Sequence, residues 1–119
     1  MAERFVKIVV FTPISHCDQV REALANAGAG NIGNYDSCSF SSRGIGRFRP
    51  LKGAKPFIGS EGVIEEVEEE KIEVICPEKD LDYVLHQVRK AHPYEEPAID
   101  IYPLLNEGQE SNTDDGAVS

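Results

Sequence analysis

The chain has 119 residues, enough for one domain whose core needs no disulfide or metal to hold it. Its formal net charge of −9 argues against general nucleic-acid binding, where affinity comes mainly from neutralising phosphates. No apolar run is long enough to cross a membrane, the longest being Ile8 to Phe11.

The start, Met1-Ala2-Glu3-Arg4, lacks the apolar stretch and cleavage site of a signal peptide. The three cysteines, Cys17, Cys38 and Cys76, are widely spaced and contain no Cys-x-x-Cys pair, so a structural zinc finger is not expected. These features predict a reduced, cytoplasmic protein. Charge is unevenly placed. Residues 106–119 hold four acids and no base, and Glu65 to Glu73 hold six acids and one lysine, which leaves the rest neutral overall. Within that remainder Arg43, Arg47, Arg49, Lys52 and Lys55 form a basic run with no acid among them. A local basic loop suits one small anion even in an acidic chain.

Phe5 to Thr12 is rich in β-branched and aromatic residues and apolar on both faces, which predicts a central strand ended by Pro13. Ser15 reads as an N-cap, with Asp18 three residues on. Val20, Ala23, Leu24 and Ala27 then fall at helical spacing, which predicts a helix from His16 to Ala27 with Gly28 as its C-cap. Gly28 to Asn34 is a glycine-rich turn lying after a helix and before a strand. That is the wrong order for dinucleotide binding, so it reads as a loop needing positive φ.

Tyr35 to Ser42 alternates, with Cys38 and Phe40 on one face, and reads as a strand that Gly44 to Pro50 extends. Leu51 to Ser60 is irregular. Val63 to Val67 and Lys71 to Cys76 read as a strand pair or one bent strand, because Ile64, Val67 and Ile72 make no helical stripe. Asp80 is a second N-cap candidate, before Leu81, Val84, Leu85 and Val88 at i, i+3, i+4 and i+7. Pro93 disfavours helix at His92. Ala98 to Tyr102 reads as the last strand, with Ile99 and Ile101 inward. The acidic, non-periodic residues 106–119 predict a disordered tail after one domain over 1–105. The order strand, helix, strand, strand, helix, strand predicts an α+β fold, a ferredoxin-like βαββαβ sandwich with both helices on one sheet face. Other subunits are expected to cover the second face.

The segments Gly30 to Asp36, Cys38-Ser39-Phe40, Gly44 to Pro50, Pro56 to Gly59 and His92 to Ala98 together resemble the inserted domain of the NGG1-interacting-factor-three-like proteins of the YqfO type. The likeness runs from Phe5 to Leu104. It implies a PII/CutA-like fold that assembles as a homo-oligomer, a trimer. The family's dinuclear metal site, and its hydrolase or GTP cyclohydrolase labels, go with a flanking domain. The chain is therefore expected to be a stand-alone insert with none of those ligands.

Three sites are candidates. The basic loop from Arg43 to Lys55 offers arginines and free backbone N–H groups to a phosphate, a nucleotide or a carboxylate. Its bland reading is a solvated loop paired with the acids at Glu65 to Glu70. A metal site using His92, Glu95 or Glu96, with His16 or Cys38 from elsewhere, is the second candidate, since imidazole and carboxylate suit a divalent metal ion. Its bland reading is a histidine bonding a carbonyl at a helix end, and glutamates pairing with Arg47 or Arg49. The third is nucleophilic catalysis by Cys17 or Cys38 with a nearby histidine, Cys17 standing beside His16 in a helix's first turn, against a buried or incidental thiol. Cys76 falls on the inward periodicity of its strand and is expected to be inert. The sequence favours a small non-enzymatic binding module that takes an anion, nucleotide or divalent metal at subunit junctions through Arg43, Arg47, Arg49, Glu95 and Glu96, with His92 as a metal ligand. The alternatives are a structural or interaction trimer and a relative of metal-dependent hydrolases.

Overall fold

A computed structural model describes residues 3–105. The expected tail falls in 106–119, outside the described residues. The elements are β1 (Phe5–Pro13), α1 (Cys17–Asn26), β2 (Phe40–Phe48), β3 (Glu65–Pro77), α2 (Leu81–Ala91) and β4 (Ile99–Pro103). The sheet is antiparallel throughout, with strand order β2-β3-β1-β4. This is the expected ferredoxin-like topology, with α1 and α2 together on one face.

Alternation along β1 decides which side chains meet the helices. Val6, Ile8 and Val10 face α1 and α2 and pack with Val20, Leu24, Ile72, Val74, Val84 and Val88. Fully burying one such side chain contributes about 1.5–3 kcal/mol. The stripe at Val84 and Val88, flanked by the partly buried Leu81 and Leu85, is the α2 face read from periodicity. On the other face Val9 is 1% exposed although no helix lies there. Its neighbour Lys7 forms an ion pair at 3.4 Å with Glu73, the residue directly across from Val9.

Neither expected N-cap forms. In both cases a strand ends in proline and a 3-10 turn intervenes: Pro13 then Ile14–His16, and Pro77 then Glu78–Asp80. These turns bend the chain from sheet to helix and displace the polar side chain from the capping geometry. Ser15 Oγ is instead hydrogen-bonded to His16 Nδ1 at 2.8 Å, and Asp80 makes no capping bond. The end of α1 matches expectation. Ala29 N–H reaches Leu24 O at 3.0 Å and Gly28 N–H reaches Ala25 O at 3.1 Å, a Schellman pair. Gly28 adopts φ +99°, a conformation that costs a residue with Cβ about 1 kcal/mol or more.

β2 starts later than expected, at Phe40. Ser37 takes φ 61° and Cys38 gives its N–H to Gly30 O at 2.9 Å, so 35–39 bend back on the glycine turn instead of extending. Cys38 therefore shares no strand face with Phe40. β3 is one continuous strand, not a pair. Its Glu69–Pro77 half pairs with β1, while Glu65–Glu73 pair with β2. The β2–β3 hairpin thus projects beyond Pro13. The long connection from Arg49 to Ile64 returns from its end toward β1 and the turn after α2.

A candidate binding cavity on the helix-free sheet face

The connection after β2 is too long to be a simple hairpin turn, and ordered loops of this length are commonly functional. Three bonds fold it on itself: Ala54 N–H to Leu51 O at 3.0 Å, Gly62 N–H to Pro50 O at 2.8 Å, and Val63 N–H to Ser60 O at 3.2 Å. A fourth ties it to the turn after α2, where Lys55 N–H donates to Glu95 Oε1 at 2.9 Å. Between this loop, that turn and the sheet lies a cavity of about 630 Å³, within the usual range for small-molecule sites.

Its walls are aromatic: Phe11 from β1, Phe48 from β2, Phe57 from the loop and Tyr94 from the turn. Tyr94 is the hinge of this group, with ring centroids 5.7 Å from Phe48 and 6.4 Å from Phe57. Phe57 in turn meets the His16 ring edge-on at 5.3 Å. Arg47, Arg49, Glu95 and Glu96 also line the cavity, as do Gly46 and Glu69 from the paired strands.

His92 sets the position of Tyr94. It is 6% exposed, and its Nε2 lies 2.8 Å from Phe11 O while Tyr94 N–H reaches its Nδ1 at 3.1 Å. A carbonyl only accepts and an amide N–H only donates, so the ring is neutral with its proton on Nε2. Burial lowers its pKa below the ordinary 6.5, the Phe11 carbonyl opposing that effect. His92 is thus the helix-end histidine bonding a carbonyl. Both ring nitrogens are engaged, so the expected metal ligand offers no free lone pair in this arrangement. Among the described residues no three His, Cys, Asp or Glu side chains gather as a metal site.

Tyr94 donates its hydroxyl proton to Glu69 Oε2 at 2.9 Å. Burial, then the bond and charge of Glu69, raise the phenol pKa well above the ordinary 10. Glu69 is 8% exposed, and its carboxylate lies over Gly46, where a Cβ would sit 2.2 Å from Oε1. The ion pairs among the described residues leave Glu69 out.

The expected arginines divide. Arg47 and Arg49 line the cavity; Arg43 does not. Arg43 approaches Glu70 at 3.9 Å and Arg47 bonds its cross-strand partner Glu66 at 2.9 Å, so the basic run does pair in part with the acidic one. Glu95 and Glu96 join Arg47 and Arg49 around the cavity, but the recorded bond of Glu95 is to Lys55 N–H and not to an arginine. Cys17 is no activated nucleophile. It is buried, bonds Pro13 O at 3.4 Å, and its thiol is pushed up to about 11 by burial and then by the Glu70 charge. Burial likewise pushes the Cys76 thiol up to about 11.

Comparisons with known proteins agree with this fold. No family model matches the chain. It is 56% identical over 107 residues to the GTP cyclohydrolase 1 type 2 homolog of Halalkalibacterium halodurans, covering 90% of this chain and 29% of that protein. A crystal structure of a Bacillus cereus protein related to NIF3 superposes with a TM-score of 0.80 at 47% identity, covering 92% of this chain and 28% of that one. CutA1 from Shewanella sp. SIB1 superposes with a TM-score of 0.64 at 16% identity, over 89% of this chain and 86% of its own. The chain therefore spans less than a third of the length of the NIF3-type proteins it matches, and nearly the whole of a CutA1 chain.

Proposed function

We propose that this chain, which resembles the CutA-like segment of NIF3-type proteins, is a small oligomeric binding module that takes a nucleotide-class anion in the cavity on its helix-free sheet face. The observation carrying this reading is the cavity itself: four aromatic walls with Arg49 at its lining. Aromatic faces stack a flat ring, and guanidinium groups hold a phosphate through paired N–H donors. Glu95 would keep the loop closed over the ligand through Lys55. Binding rather than turnover is favoured because the buried Cys17 and Cys76 thiols are held protonated. The cyclohydrolase named in the longer relatives would then be work for the remainder of those proteins.

Thermal denaturation with nucleoside monophosphates, inorganic phosphate and divalent metal salts tests the reading. A bound ligand raises the melting temperature by mass action, by an amount that grows with ligand concentration. The Arg49→Ala variant should lose most of that rise. A flat response to every nucleotide removes the proposal. A rise with a divalent metal alone would favour the metal reading of Glu95 and Glu96, with His92 having to leave Phe11 O or Tyr94 N–H to join them.

One observation favours a second role. Phe40 on β2 and Tyr102 on β4 are 66% and 51% exposed on the helix-free face, at opposite edges of the sheet. Apolar side chains so placed suit packing against further copies of the chain in a trimer. Light scattering on Phe40→Ser distinguishes the roles. Loss of the oligomer with ligand response intact assigns Phe40 to assembly alone.

A further inference from the structure

Glu69 is the least expected side chain on the helix-free face. A glutamate residue left only 8% exposed ordinarily has its carboxylate matched by a cation or by several donors. Here the recorded partner is one neutral phenol, Tyr94, bonded to Oε2. Oε1 lies over Gly46, in a cavity with aromatic walls. We propose that Glu69 is the specificity residue of this cavity and accepts paired N–H donors from the edge of a flat nitrogen heterocycle, of the kind a 2-amino-4-oxopyrimidine ring presents. The inference rests on the binding role proposed above and adds to it the identity of the ring.

The geometry supports this class in three ways. The aromatic side chains of Phe11, Phe48, Phe57 and Tyr94 offer faces to a planar ring. Glu69 has two carboxylate oxygens and one recorded donor, so it retains lone pairs open to N–H or O–H donors. Gly46 leaves the carboxylate room to lie flat against the strand, and an added Cβ would expel it. Arg49, lining the same cavity, fits a phosphate on the same molecule and disfavours a simple cation, whereas the Arg47 guanidinium is paired with Glu66. Tyr94 is a positioning residue: its hydroxyl orients the carboxylate, and His92 orients Tyr94.

The test is a titration of the full chain with three 5′-monophosphates. Guanosine monophosphate carries the adjacent ring N–H and amino donors, inosine monophosphate keeps the ring N–H alone, and adenosine monophosphate lacks the donor pair. The expected order is guanosine, then inosine, then adenosine, with about tenfold or more between the first and last, since a site built to accept hydrogen bonds rejects a ring that cannot donate them. Glu69→Gln should erase that preference, bringing the guanosine affinity down to that of adenosine. Tyr94→Phe should reduce the preference without abolishing binding. Equal binding of all three by the unmodified chain overturns the inference and leaves the anion site standing. Failure of all three to bind overturns both. Should Glu69→Gln fold poorly, judged by its melting temperature without ligand, the order measured on the unmodified chain still decides.

Discussion

Gly46 and the carboxylate of Glu69 occupy what would be one side chain's space: a Cβ on Gly46 would lie 2.2 Å from Oε1 and 2.5 Å from the carboxyl carbon. The absence of a side chain on β2 is thus what lets β3 bury an acid. Gly46→Ala should push Glu69 off Tyr94 and destabilise the fold by about 1 kcal/mol, the net contribution of the hydrogen bond lost. Denaturant unfolding measures the loss, and the near-ultraviolet tyrosine spectrum reports the broken bond. Unchanged stability with an unchanged spectrum would mean that the carboxylate has another resting place.

A second expectation concerns acid. His92 is neutral in the fold and its pKa is lowered from 6.5, so the unfolded chain binds its proton first as pH falls. The stability from neutral His92 is therefore complete above about pH 6.5 and declines below it, until the folded form also protonates. Melting temperature against pH should drop through this window, and His92→Gln should flatten that part of the curve. A profile identical in both proteins would assign the acid loss elsewhere.

Glu70 supplies a separate step at lower pH. Arg21, bonded to it from α1, holds its carboxyl below the ordinary 4.5, so its contribution is present above that pH and lost as pH falls further. Glu70→Ala leaves Arg21 with Ser41 at 3.2 Å and Asp18 at 2.6 Å, and should cost about 1–3 kcal/mol at pH 7. The variant should lack the acid-dependent step that Glu70 contributes below pH 4.5. Loss of less than half a kilocalorie, by urea unfolding, would show that Asp18 and Ser41 suffice for Arg21.

How much of this was legible beforehand follows from where the information sits. β1 and the Leu81-Val84-Leu85-Val88 stripe are periodic over their whole length, and periodicity is local. The basic run, the loop and the His92 turn were also visible, because each is a cluster in the chain. Glu69 was not, being one of six acids between Glu65 and Glu73. What singles it out is register: alternation along β3 turns Glu69 to the helix-free face, toward the space that Gly44 and Gly46 leave open on β2. Two glycines two residues apart in a strand, opposite an acid, was the available signal. The N-caps at Ser15 and Asp80 were misplaced for the converse reason. The proline before each 3-10 turn ends the strand and also sets the entry angle of the helix, which carries the polar side chain away from the capping position.

The thiols make a fourth check. Cys17 and Cys76 are buried with pKa values near 11, whereas Cys38 lies half-buried in the glycine turn. Iodoacetamide at pH 8 should label Cys38 at least about tenfold faster than the other two, read by mass spectrometry of digested peptides. Equal labelling would indicate frequent opening of the α1–β3 core.

The strand order also dictates a sequence of events in time. β1 lies between β3 and β4, so the first strand made has no sheet neighbour until residues after 68 exist, and Val6 pairs with Pro103 at the far end of the described chain. Among the described residues the β2–β3 hairpin is the one pairing between consecutive strands. Gly46 and Glu69 therefore meet inside the unit that can assemble earliest, whereas Tyr94 and His92 arrive only when α2 docks and β4 closes against β1. Pulse-labelled hydrogen exchange should find the Phe40–Phe48 amides protected before those of Ile99–Pro103. The half of the cavity that carries the acid is then built first, and its tyrosine lid and histidine support are fitted to it last.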